Sequence, residues 1–178
     1  GAKGDVHVKS VGGDASLREV NGNLTLDSVS DDLAIHGVGG NLKVDVDADA
    51  VIHLDPKPDQ AYTVVAGDDI MLVLPGDTNA ALDLNGDHIS VNFPGVKLDD
   101  STSQVVTLGE GAAKISLNAG NRLLVSTNKS AAESADEFGN FAGMMFDWGS
   151  WGHEIGEHWG NYPRASAYGF SQPAKRAA

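Results

Sequence analysis

Between Gly4 and Ala48, apolar and polar positions follow a nine-residue beat that runs five times without an insertion: GDVHVKSVG, GDASLREVN, GNLTLDSVS, DDLAIHGVG and GNLKVDVDA. Each unit opens on Gly or Asp followed by Asp or Asn. It then places two apolar residues with one residue between them: Val6/Val8, Ala15/Leu17, Leu24/Leu26, Leu33/Ile35 and Leu42/Val44. A further apolar column holds Val11, Val20, Val29 and Val38, and breaks at Asp47. Alternation at period two marks a strand with one buried face, and Gly-Asp, Asn-Gly and Gly-Gly pairs mark turns. No helical period separates the strands.

Short, near-identical strands bury their apolar faces by coiling, so that each unit stacks on its equivalent in the next turn. Two units of nine close a flat coil of 18 residues, which puts Val6 on Leu24 on Leu42, and Ala15 on Leu33, about 4.8 Å apart. The alternative is a 27-residue turn of three units. Glycine at the corners tolerates positive φ, and the neighbouring Asp or Asn bonds local backbone. Stacked Asn side chains can form ladders between turns. Stacked Asp5, Asp14 and Asp32 raise the question of calcium, but the calcium-binding nonapeptide carries its Asp at the sixth position, not the second. Turn chemistry is the expectation.

From Asp49 the period loosens while strand character persists, through Val51-Ile52-His53-Leu54, Tyr62-Thr63-Val64-Val65, Ile70 to Leu74, Leu82-Asp83-Leu84, Ile89 to Phe93, Val105 to Leu108, Ile115-Ser116-Leu117 and Leu123-Leu124-Val125. Pro75 and Pro94 fall at strand ends, where a missing N–H does least harm. Residues 1–126 are therefore expected to form one all-β, single-chain parallel β-helix (β-solenoid), right-handed, with wider turns in its second half.

The successions GGDASLREVNGNLTLDSVSDDLAIHGVGGNL, GDDIMLVLPGDTNAALDLNGDHISV and GEGAAKISLNAGNRLLVST resemble the bacterial putative-adhesin domain of unknown function, over about residues 4 to 126. The resemblance implies a single-chain β-helix of envelope and surface proteins. It brings no catalytic motif with it.

After Thr127 the composition changes. Residues 128–137 are polar and rich in Ala and Ser, and suit a linker. All three Trp and three of the five Phe follow between 138 and 159. Phe138, Phe141, Met145, Trp148, Ile155 and Trp159 are spaced by three, four or seven, as on one helical face, against the helix-weakening effect of six glycines. With Phe146 and Trp151 they form a candidate interaction surface, which either caps the last turn or docks on a neighbouring subunit. Residues 162–178 read as a tail.

Charge narrows the partners. The chain has a formal net charge of −13, and residues 1–126 carry most of it, with 8 basic against 19 acidic side chains. An acidic surface repels phosphate backbones, so nucleic acid is not an expected partner. No apolar run reaches the roughly 18 residues of a membrane helix. There is no cysteine, which excludes disulfides and thiolate metal sites. Gly1 is not an initiator Met, and residues upstream of it are expected in the natural protein.

Candidate chemistry is sparse. His153, Glu154, Glu157 and His158 form HEIGEH, which misses both HExxH and its inverse by one residue. A weak zinc or nickel site is conceivable there, but a solvated polar face is the expectation, with no cofactor. His7, His36, His53 and His88 are expected on exposed faces or in loops. Asp45 with Asp47, or Asp68 with Asp69, are the carboxylate pairs available for glycoside hydrolysis. Sugar-stacking aromatics in the coil are limited to Tyr62 and Phe93. No nucleophile elbow or phosphate loop occurs.

The expectation is a non-enzymatic structural or interaction protein of the cell surface or extracellular space, adhesin-like. It forms homo-oligomers or filaments head to tail through uncovered turn ends. A glycan- or protein-binding module is the alternative, and a polysaccharide-acting enzyme is a third reading.

Overall fold

The computed structural model describes residues 1–127. Thirteen strands run through them: β1 (Val6–Val8), β2 (Ala15–Val20), β3 (Leu24–Val29), β4 (Leu33–Val38), β5 (Leu42–Val46), β6 (Ala50–His53), β7 (Ala61–Ala66), β8 (Ile70–Leu74), β9 (Ala80–Asn85), β10 (His88–Asn92), β11 (Ser103–Leu108), β12 (Ala113–Ala119) and β13 (Arg122–Thr127). The described residues contain no helix. Strands β1 to β10 alternate between two sheets, ordered β1-β3-β5-β7-β12-β9-β11 (sheet B) and β10-β13-β8-β6-β4-β2 (sheet A). All pairings are parallel except β9 with β11. The fold is all-β, built of two mostly parallel sheets.

The 18-residue turn holds at the start: Val6 pairs with Leu24 and Leu24 with Leu42, while Ala15 pairs with Leu33. These columns continue inward as Leu42–Tyr62–Ile115–Leu82 in sheet B and Leu33–Ala50–Ile70–Leu123–Ile89 in sheet A. From Leu24 to Leu123 nearly every member is fully buried. Each such aliphatic side chain contributes roughly 1.5–3 kcal/mol by leaving water. The step along the chain is 18 residues up to Asn41 in one sheet and Asp32 in the other, 17 from Asp32 to Asp49, and 20 from Asn41 to Ala61 and from Asp49 to Asp69, where the corner at 55–60 is longer.

Sequence order and spatial order part company after β8. The pair β9–β10 does not stack on β7–β8. It leaves a gap one strand wide in each sheet, which β12 and β13 fill from later in the chain, in parallel register with both neighbours. Between these events β11 folds back antiparallel on β9 and closes that end of sheet B. Phe93, Val106 and Leu108 are buried there, with Val96 and Leu98 packed against the core. At the opposite end Val6, Val8, Val11, Ala15 and Leu17 contact the core but remain half-buried.

Candidate functional site

Two ladders of polar side chains run up the corners, and they explain the second position of the repeat. In the first, Asp5 Oδ1 accepts from Asn23 N (2.8 Å) and Nδ2 (3.1 Å), Asn23 Oδ1 accepts from Asn41 N (2.8 Å) and Nδ2 (3.1 Å), and Asn41 Oδ1 accepts from Ala61 N (2.8 Å). In the second, Asp14 accepts from Asp32 N (3.3 Å), Asp32 from Asp49 N (3.3 Å) and Asp49 from Asp69 N (3.0 Å). An oxygen at this position satisfies the backbone N–H of the equivalent residue one turn on. Asp can stand where Asn does because a backbone donor is present at both, although Asn adds its own Nδ2 donor in the first ladder. These N–H groups hold Asp5 below the usual carboxylate range.

The acidic ladder carries an electrostatic load. Burial, and then the charges of Asp69, Asp32 and Asp68, push Asp49 up, although the Asp69 N–H pulls the other way. The ladder ends on a cation from the inserted turn: Arg122 Nε and Nη2 lie 3.1 and 2.6 Å from Asp69 Oδ2. Asn121 Nδ2 and Arg122 N, both at 2.9 Å, donate to Oδ1. Asp69 is thus held by four hydrogen bonds, while Asp68 is exposed. Asp45 and Asp47 are both exposed. Among the described residues, no three His, Asp or Glu side chains converge in a group able to hold a metal ion.

Gly4 and Gly37 of the repeat take the positive φ expected at corners, and the other repeat glycines do not. In the Gly4–Gly22–Gly40 column only Gly4 has it (φ 126°). Turns approach so closely that a Cβ on Gly22 would lie 2.5 Å from Gly4 C, and one on Gly40 would lie 2.9 Å from Gly22 C. At Gly13 the nearest atom would be 3.9 Å away, and the equivalent residue one turn on is Asp31.

Histidine placement also departs from expectation at one position. His7 is exposed, with Nε2 2.8 Å from Asp27 Oδ2, and His88 is exposed. His53 is buried, paired across strands with His36 at a ring-centroid separation of 5.5 Å. Burial, and secondarily the charge of His36, lowers its pKa to about 3. Tyr62 is a core residue, 1% exposed, whose hydroxyl accepts from Lys57 N at 3.0 Å. Phe93 is buried as well, so neither offers a ring face for a sugar. The outer face of sheet B instead forms an open concavity of about 420 Å³, with Thr63, Asp83, Val105, Lys114 and Ser116 among its lining residues.

Two apolar surfaces stand out as candidates for interaction. One is the first turn, whose half-buried Val6, Val8, Val11, Ala15 and Leu17 have no described turn stacked above them. The other is the outer face of sheet A, where Val51, Met71, Val73 and Leu124 point away from the space between the sheets. Its apolar character was written in the uninterrupted runs Ala50-Val51-Ile52, Ile70 to Leu74 and Leu123 to Val125, since strands buried on both faces lose their alternation. The candidate cluster His153, Glu154, Glu157 and His158, expected as a solvated polar face, lies outside the described residues. So do the interaction residues Phe138, Phe141, Met145, Phe146, Trp148, Trp151, Ile155 and Trp159. Among the described residues no helix is long and apolar enough to cross a membrane. No family model, curated protein or solved structure matches the chain.

Proposed function

We propose that this chain is a non-enzymatic structural and interaction protein of the bacterial cell envelope or surface, adhesin-like, whose parallel sheets form a right-handed single-chain β-solenoid similar to the adhesin-domain family. It extends by adding a further turn at its first one. One observation carries this reading: among the described residues β1 and β2 stand at the sheet edges, β2 being bridged on its outer side by Ala2 at Val20, and the apolar residues beneath them are only half covered. Such an edge is a template for another strand. A stacking partner in head-to-tail register generates an open fibre. Of the aromatic segment 138–159, Trp148, Trp151 and Trp159 take part as a second contact between subunits.

Electron microscopy and light scattering of the full chain test this. Oligomers or fibres are expected, and Val8→Lys, which places a charge on the open turn, should return them to monomers. A stable monomer at high concentration sinks the proposal, as does the finding that residues preceding Gly1 in the natural protein supply the missing turn. Replacing Trp148 and Trp151 by Ser should weaken assembly, and no change would remove the segment from it.

A second reading, a ligand-binding module, is supported by the concavity on sheet B. It lacks an aromatic platform, which favours a protein ligand over a glycan. Saturable binding lost on Val105→Lys would support it.

A further inference from the structure

The outer face of sheet B alternates as a solvated face should, with Lys43, Asp45, Lys114 and Asn118 exposed. That of sheet A does not. Val51, Met71, Val73 and Leu124 are only 1–2% exposed, yet none belongs to the core between the sheets. They form cross-strand rows, with Met71 beside Val51 and beside Leu124. Along the same row, burial fades to half-buried Ala34 and exposed Ser16 on one side and to half-buried Ser90 on the other. In the neighbouring row it fades from Val73 and Ser126 to exposed Asn92. What shields this face is centred on β8 and β13 and spans about three strands, roughly 10 Å at the usual strand spacing.

The shield comes from the same chain, because these side chains are withdrawn from solvent within a single copy. Among the described residues, every connection leaving sheet A leads to sheet B, and no described strand lies on the outer face of sheet A. β13, the last described strand, lies at the centre of the covered patch, and the chain continues from it at Thr127.

We propose that the outer face of sheet A is the docking surface for the residues that follow β13, with Phe138 and Phe141 seated on Met71, Val73 and Leu124. From 128 to 137 the only apolar side chains are alanines, too small to cover four large residues. Phe138 and Phe141 are the first that can. The stretch from Thr127 to Phe138 spans up to about 36 Å when extended and about 16 Å as a helix, so either conformation reaches the patch. Residues three apart share one face of a helix, and the Met71 thioether is suited to an aromatic ring. This docking is independent of whether the first turn adds a second copy.

The chain has no cysteine, so single thiols can probe the face. Met71→Cys and Leu124→Cys are made separately in the full chain, with Lys43→Cys on the exposed face as reference, and labelled with a maleimide at low protein concentration. If labelling needs the face to open, the two thiols should react at least about tenfold more slowly than the reference. With Phe138→Ser and Phe141→Ser also present, they should react within about threefold of it, while the far-ultraviolet strand signal is unchanged. If either substitution disturbs folding, Ser126→Cys, in the same patch, carries the same comparison.

Three results would overturn the proposal. Labelling as fast as the reference in the chain with both phenylalanines would mean an open face. Protection that survives both serine substitutions would mean another cover. Protection that develops only at high concentration would assign the face to a second copy.

Discussion

Arg122 grips Asp69 across fifty-three positions of sequence, with Nη2 2.6 Å and Nε 3.1 Å from the same carboxylate oxygen. The pair fastens the late-arriving strand β13 to the corner of β8, at the end of a ladder of three other carboxylates. Removing the cation should cost more than neutralising the acid. Arg122→Ala leaves a buried carboxylate above Asp49 and should destabilise by about 2–3 kcal/mol. Asp69→Asn keeps an acceptor for Asn121 and the Arg122 N–H and should cost about 1 kcal/mol. Urea denaturation of the two variants checks the order.

Much of the first half of the molecule was legible in the sequence. A strict nine-residue beat leaves few ways to bury Val6, Leu24 and Leu42 together, and they do stack. The second position could be recognised as polar turn chemistry, but its backbone donor one turn away could not, because that geometry exists only once turns are stacked. The insertion of β12 and β13 between β7–β8 and β9–β10 leaves no local mark either. Leu82, Ile115 and Tyr62 have the same alternating pattern, and any order of their strands buries the same side chains. The double burial of β6, β8 and β13 was visible in their uninterrupted apolar runs. The character of His53 was not, since it depends on lying beside His36 under a covered face.

Close stacking of corners predicts a sharp contrast among glycines. A Cβ on Gly67 would stand 2.1 Å from Asp47 O, and one on Gly120 would stand 1.9 Å from Gly67 O. Gly67→Ala and Gly120→Ala should each destabilise by about 1–3 kcal/mol through forced separation of the turns. Gly12 has nothing within 4 Å of its Cβ position, and Gly12→Ala should be neutral or gain up to about 1 kcal/mol from a stiffer unfolded chain. Thermal melting of the three proteins checks this.

Glu19 holds a left-handed backbone, φ 53°, at the position equivalent to Gly37, φ 80°, one turn on. An L-residue there is strained by roughly 1–2 kcal/mol, whereas glycine is not, though glycine loses more freedom on folding. Glu19→Gly should therefore raise stability by up to about 1 kcal/mol, and Gly37→Ala should lower it by about as much. Equal and opposite shifts in the denaturation midpoint are the expected result.

His53 makes stability depend on pH. Its pKa is about 3 in the folded chain against 6.5 for the free side chain, so between those values the unfolded chain holds more protons and stability falls as pH falls. From pH 7 to pH 5 this group should cost about 2 kcal/mol. Asp49, raised by burial, acts in the opposite sense, since protonating it favours the fold as the pH drops towards the carboxylate range. Denaturation at pH 7 and pH 5 should show a loss in the unmodified chain that is largely absent in His53→Leu. Equal losses in both would exclude His53 as the source.

The inserted turn makes a prediction about cooperativity. β9 pairs with β12 on one side and β11 on the other, and nothing else joins it to β7. When β12 leaves, β9 loses its link to the rest of sheet B, and β10 loses its link to sheet A when β13 leaves. The ladder β9–β13 should therefore open as one unit, distinct from fraying of β1 and β2, whose loss leaves β3 and β4 paired with β5 and β6. Leu117→Ala removes a fully buried side chain at a cost of about 2–5 kcal/mol. Native-state hydrogen exchange should then show the amides of Leu82, Leu84, Ile115 and Val125 losing protection together, by similar factors, with those of Leu26 and Ile35 much less affected. If Leu82 and Leu84 stayed protected while Ile115 exchanged, β9 would be held in place by something other than the turn threaded beneath it.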